Sequence, residues 1–228
     1  MAIEKQRRRT SGKRRLRQMY DRLFGAYGPQ HWWPADTPTE VVIGAILTQN
    51  TAWKNVERAI ENLRNADALD FSALHELSEA GLAKLIQPSG TYRVKAARLK
   101  AFVGFLFEHY DGSLDAMLDG ELEVARRRLV SIHGIGCETA DAILLYAGDR
   151  PSFVVDAYAR RVLRRHFLID RDADYETIRA LFHDALPAES QLFNEYHALL
   201  VEVGKRHCRA RAICEGCPLC DLPHDETL

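Results

Sequence analysis

The sequence predicts an all-α protein, and three observations carry that prediction. Apolar residues recur with a helical period along most of the chain. Helix-start and helix-stop residues punctuate it at short intervals. The one extended run, Phe153-Val154-Val155, is too short to imply a sheet. The first helix is signalled by Thr37 as N-cap, Pro38 at the first helical position and Glu40 three residues after the cap. Val41, Val42, Ala45 and Ile46 then supply its apolar face. Further helices are expected near 54–65, 71–77, 79–86, 92–110, 121–132, 137–147, 156–167, 173–184 and 189–207. In the stretch 92–110 the period is plain, with Leu99, Phe102, Val103, Leu106 and Tyr110 on one side. Pro88-Ser89-Gly90, Asp111-Gly112 and Asp149-Arg150-Pro151 make short connections. Layered helices follow as the architecture.

The chain has 228 residues, room for one large or two small domains, and 46% hydrophobic with 28% charged residues is an ordinary globular balance. No apolar run is long enough to span a bilayer. The N-terminus is basic without an apolar stretch, so no secretory signal is read there and a cytoplasmic location is expected. Net charge is −1, but residues 1–23 hold nine Lys or Arg against Glu4 and Asp21. A basic arm on an acidic body suits local phosphate contact or, equally, a solvated tail.

Three features carry chemistry. Ile132-His133-Gly134-Ile135-Gly136-Cys137 joins two helical stretches; its glycines permit a tight turn, and helix N-terminal amides suit a phosphate. Asp156 begins a helix twenty residues after Gly136, as an N-cap, a catalytic carboxylate or both. Cys208, Cys214, Cys217 and Cys220 crowd the C-terminal end, where thiols in a reducing compartment read as metal ligands rather than disulfides. Cys137, apart from these, reads as a small buried residue. The nine histidines show no ligand spacing.

The stretch Ile132 to Ala147 followed by Phe153-Val154-Val155-Asp156-Ala157-Tyr158-Ala159 resembles the helix-hairpin-helix DNA glycosylase superfamily, the endonuclease III-like proteins, and the resemblance runs from about Trp32 to Cys220. It implies a two-domain helix-hairpin-helix glycosylase fold with a C-terminal four-cysteine loop. Residues 30–150 would form the helical barrel domain with the hairpin; residues 1–29 plus 151–228 would form the second domain, bearing the cluster. It implies a lesion site in a cleft between the two, with Asp156 as catalytic aspartate. Gly134, Ile135 and Gly136 would hold the DNA backbone. Gln49, after Ala45-Ile46-Leu47-Thr48, and the loop Gly90-Thr91-Tyr92-Arg93 would enter the duplex.

Where bifunctional members carry a lysine that attacks the sugar, this sequence has Glu138, which cannot form an imine. A monofunctional glycosylase without efficient abasic-site lyase activity is therefore expected. Trp32-Trp33-Pro34-Ala35 and Leu47-Thr48-Gln49-Asn50-Thr51-Ala52-Trp53 resemble the 3-methyladenine DNA glycosylase III branch, which implies Trp32, Trp33 and Trp53 as base-pocket rings and Lys205 as a pocket lysine, an ordinary surface lysine being the alternative. Electron-rich rings attract a cationic base. The four cysteines would hold a [4Fe-4S] cluster, although their first and last gaps are shorter than the family's usual ones; a four-thiolate zinc site is the alternative. The substrate class expected is alkylated purine in double-stranded DNA, with uracil or thymine mismatch as runner-up and a catalytically silent lesion binder as the third reading. A nucleoid-associated monomer suits a single site on one duplex.

Overall fold

The computed structural model describes residues 2–225, with side chains from residue 12 onward. The order of elements is α1 (Ala2–Tyr27), α2 (Pro38–Leu47), α3 (Trp53–Asn65), α4 (Phe71–Glu76), α5 (Glu79–Leu85), α6 (Tyr92–Tyr110), α7 (Leu114–Leu118), α8 (Leu122–Val130), α9 (Cys137–Ala142), α10 (Ala157–Arg165), α11 (Tyr175–Ala185) and α12 (Ser190–Arg206). A 3₁₀ turn, Gln87–Ser89, precedes α6, and a π turn, Ile143–Ala147, continues α9. Among the described residues there is no strand, only an isolated bridge between Cys208 and Ala212. None of the described helices is long and apolar enough to cross a membrane.

The chain divides into two compact units. One is continuous, Trp33–Arg150; the other joins Met1–Trp32 to Pro151–Leu228. In the continuous unit α2 is buried along nearly its whole length, as its apolar composition requires. The expected start of α2 is present: Thr37 Oγ1 accepts from the Glu40 amide at 3.2 Å. The Glu40 carboxylate, 5% exposed, accepts from the Asp36 amide and from Arg64 at 3.1 Å. α6 runs against α2, α4, α5 and α7 and presents Leu99, Phe102, Val103 and Leu106 to the core.

In the other unit α1 packs on α11 and α12, and α10 packs on α12. Phe153 stacks on Phe182 with ring centroids 3.5 Å apart and meets Phe193 and Tyr196 edge-on. The Phe153-Val154-Val155 run is therefore extended because it is threaded through a core, not because it joins a sheet.

Two helices depart from the sequence reading. The basic arm is part of α1, whose Leu16, Met19 and Leu23 are buried at helical spacing while its arginines obscure the pattern. Several of those cations are used internally: Arg15 donates to the carbonyl of His166, Arg17 pairs with Asp21 at 3.2 Å, and Arg22 with Asp221 at 3.4 Å. The side chains of Lys5, Arg7, Arg8 and Arg9 lie outside the described residues. The short α7 is the second addition; it starts at Ser113, whose hydroxyl accepts from the Ala116 amide.

Candidate active site

The hairpin is α8, the turn Ser131–Gly136, and α9. Ile132 and Ile135 are buried and anchor the turn, and the Ile135 amide donates to the Ile132 carbonyl at 3.1 Å. The two glycines differ. Gly134 has φ +84°, and a Cβ there would overlap the Arg98 side chain on α6. Gly136 has φ −87° with open space where a Cβ would go, and it caps α9 without a side-chain hydrogen bond. Gly134→Ala is therefore expected to destabilise the continuous unit by ~1–3 kcal/mol. Gly136→Ala is expected to leave denaturant stability nearly unchanged, while weakening DNA binding if the backbone must approach a phosphate closely. Chemical denaturation and DNA titration of both variants check this.

The two hairpin helices are clamped by Arg126 and Asp141: Nε–Oδ1 is 2.8 Å and Nη2–Oδ2 is 3.0 Å, and Asp141 is fully buried. Cys137 is half-buried at the start of α9, more open than its small-residue reading suggests. Glu138 is exposed in the first turn, where a helix dipole favours an acid.

Gln49 follows α2 and is tied to the hairpin. Its Nε2 donates to the Gly134 carbonyl at 3.2 Å and to Thr139 Oγ1 at 2.9 Å, and its Oε1 accepts from Arg98. Asn50, next to it, has φ +53°. The Gly90 loop leaves the 3₁₀ turn with φ +73° at Gly90, and Thr91 and Arg93 are exposed with the Arg93 guanidinium over the Tyr92 ring.

The aromatic residues fall into two groups. In the continuous unit Trp33 meets Trp53 edge-on at 5.3 Å between centroids, and Tyr146 at 5.1 Å. Tyr146 belongs to this group although the sequence offers no sign of it; it sits in the π turn, a widened turn that re-aims a side chain. In the other unit the exposed Lys205 holds its ammonium 5.2 Å from the Trp32 ring. A cation over an indole is the interaction a positively charged base would also make.

Asp156 is half-buried and caps α10, Oδ1 accepting from the Ala159 amide at 2.7 Å. Its other oxygen lies 3.7 Å from Nε2 of His197, a buried histidine of α12. Sequence reasoning missed His197, since its relation to Asp156 comes only from the packing of α10 on α12.

Cys208, Cys214, Cys217 and Cys220 line one cavity together with Arg165 and His207. Arg165, buried, directs Nη1 to Cys208 Sγ at 3.1 Å and holds the carbonyls of Arg209 and Ala210. Burial raises the Cys217 thiol pKa, a backbone hydrogen bond at Leu219 opposes the rise, and the other three thiols add to it. Among the described residues no three His, Cys, Asp or Glu side chains are drawn together closely enough to hold one metal ion. Four soft sulfur donors around one cavity fit a sulfur-ligated iron cluster by their chemistry.

Comparison with known proteins gives these features a context. The family described as "HhH-GPD superfamily base excision DNA repair protein" matches residues 43–188. A Methanocaldococcus jannaschii protein named "Putative DNA repair glycosylase MJ1434" is 48% identical over 202 residues, 88% of this chain and 92% of that protein. The crystal structure of the H. pylori 3-methyladenine DNA glycosylase MagIII bound to 1,N6-ethenoadenine superposes with TM-score 0.67 at 29% identity, over 85% of this chain and 95% of that one. A non-covalent endonuclease III–DNA complex superposes with TM-score 0.80 at 21% identity, over 92% and 94%, and shows the shared fold.

Proposed function

From a chain that belongs to the HhH-GPD superfamily of base excision DNA repair proteins and is a DNA glycosylase of that superfamily, we infer a monofunctional enzyme that hydrolyses the N-glycosidic bond of alkylated purines in duplex DNA. The observation that carries the substrate class is the pair of half-exposed indoles Trp33 and Trp53, packed together with Tyr146 against Trp33. Such rings stack on a flipped base and favour one that carries positive charge. Likeness to the MagIII glycosylase supports the same reading. An N-alkylated purine already bears the charge that makes it leave, so the site needs little acid assistance to it.

Asp156 is the residue proposed to act on the sugar. As the glycosidic bond stretches, positive charge grows on the sugar ring, and a fixed carboxylate stabilises it. The capping bond to Ala159 fixes the carboxylate's orientation through Oδ1 and leaves Oδ2 outside that bond. The same group can take a proton from the attacking water. Glu138 supplies no amine for imine formation. The hairpin turn, Gln49 and Gly90–Arg93 are proposed to grip and enter the DNA.

Cys208, Cys214, Cys217 and Cys220 would hold a [4Fe-4S] cluster, whose chemistry at this place is structural, setting the loop that carries Arg209 and Arg211. Iron and acid-labile sulfide present in equal amounts on the purified protein would support it; stoichiometric zinc without iron would replace it.

The strand chemistry is tested with borohydride and alkali. After base release the abasic strand is expected to stay whole until alkali is added, and borohydride is expected to trap no protein–DNA adduct. Efficient trapping would show that an amine elsewhere in the chain serves as nucleophile and would overturn the monofunctional assignment.

A further inference from the structure

Helix α6 carries two cations whose placement that helix does not explain. Lys95 lies in its first turns, where the helix dipole disfavours positive charge, yet Lys95 is 1% exposed. Its ammonium is bonded to two carbonyls from other segments, Leu47 at 2.8 Å and Ser89 at 2.5 Å. Burial lowers its pKa and Arg98 pushes the same way, so the site holds this charge against a cost. Leu47 ends α2, two residues before Gln49. Ser89, fully buried, ends the 3₁₀ turn immediately before Gly90. One ammonium therefore ties together the two backbones from which the Gln49 segment and the Gly90–Arg93 loop emerge.

Three residues along the same helix, Arg98 donates to Gln49 Oε1, and its methylenes lie where a Cβ of Gly134 would be. Gln49 passes the connection on to the Gly134 carbonyl and Thr139. Two side chains of α6 thus link three segments distant in sequence.

We propose that Lys95 and Arg98 are positioning residues that hold Gln49, the Gly90–Arg93 loop and the hairpin in one register, so that the groups entering the duplex arrive as a pre-set unit. The proposal rests on the reading of Gln49 and Gly90–Arg93 as the DNA-entering segments. Opening a base stack requires the inserted groups to be in place together, and a segment free to shift must be ordered at that moment. Lys95 grips main chain at both ends, so its effect reaches the loops whatever their side chains do.

The test binds wild type, Lys95→Met and Arg98→Met to a duplex with a tetrahydrofuran abasic-site analogue opposite 2-aminopurine, whose fluorescence rises when its stacking is broken. Single-turnover release of 3-methyladenine from methylated duplex DNA and thermal melting are measured alongside. Wild type is expected to give a clear rise. Arg98→Met is expected to bind and melt like wild type, and Lys95→Met to melt lower because two carbonyls lose their donor; both are expected to give a smaller rise and about tenfold slower base release. Arg98 is half-exposed, so Arg98→Met decides the matter if Lys95→Met does not fold. Wild-type fluorescence and rate in Arg98→Met would overturn the proposal, as would no rise with wild type, or a loss of rate in Arg98→Met that only follows a loss of melting temperature. Failure of the functional reading shows differently: wild type would release no 3-methyladenine while still raising the fluorescence.

Discussion

Asp156→Asn is expected to leave the protein folded and to cut single-turnover base release by about a hundred- to a thousandfold, ~3–4 kcal/mol of transition-state stabilisation. The cap and the proposed catalytic role of Asp156 separate in this one substitution. Asparagine caps a helix about as well as aspartate does, and its Oδ1 can take the same bond from the Ala159 amide. Losing the negative charge at the α10 N-terminus costs ~0.3–1 kcal/mol, too little to unfold the unit. What asparagine lacks is the charge itself, the part proposed to stabilise the developing cation on the sugar. Asp156→Ala would confound the two roles, because it also removes the cap. Equal melting temperatures with a collapsed rate constant would support catalysis by the carboxylate. An unchanged rate would reduce Asp156 to a cap and remove the central residue of the mechanism.

Asp141→Ala is expected to be the most destabilising single substitution in the hairpin, at ~3–5 kcal/mol. Its carboxylate is fully buried and meets Arg126 through two hydrogen bonds, so removing it strands a guanidinium in a place with little access to water. That is a large share of the stability of an ordinary domain. Replacing both partners, as Arg126→Met with Asp141→Leu, is expected to cost much less, because no unpaired charge is left behind. Since the chain forms two compact units, an unfolding midpoint alone does not assign the loss to the hairpin. Hydrogen exchange of the α8 and α9 amides does. It should speed up in the single variant and largely recover in the double one, and a single variant with normal exchange would show that the pair is not what holds the hairpin closed.

Much of this was legible from residues whose partners lie close in sequence. The Thr37–Glu40 start of α2, the buried face of α6, the glycine turn of the hairpin and the cap at Asp156 are all local signals, and each stands where local physics puts it. Helix α1 was harder, because Leu16, Met19 and Leu23 are embedded among arginines whose charge dominates any average over the segment. Tyr146 and His197 could not be found this way. Tyr146 reaches Trp33, and His197 reaches Asp156, only after helices far apart in sequence have packed. Lys95 is the plainest case. It stands four residues before Leu99, on the apolar side of α6, and only the carbonyls of Leu47 and Ser89 explain how a charge is held there. The four cysteines were legible as a group, and their gathering around one cavity is a property of the fold that carries them.

The substrate class turns on the identity of the base that comes free. The direct measurement incubates the protein with methylated duplex DNA and, in parallel, with duplexes carrying uracil or a mismatched thymine, and chromatographs the released bases. An alkylpurine glycosylase frees 3-methyladenine from the first and little or nothing from the others, and that is the expected result. Release of uracil or thymine without 3-methyladenine would contradict it and place the aromatic cluster around a neutral pyrimidine instead.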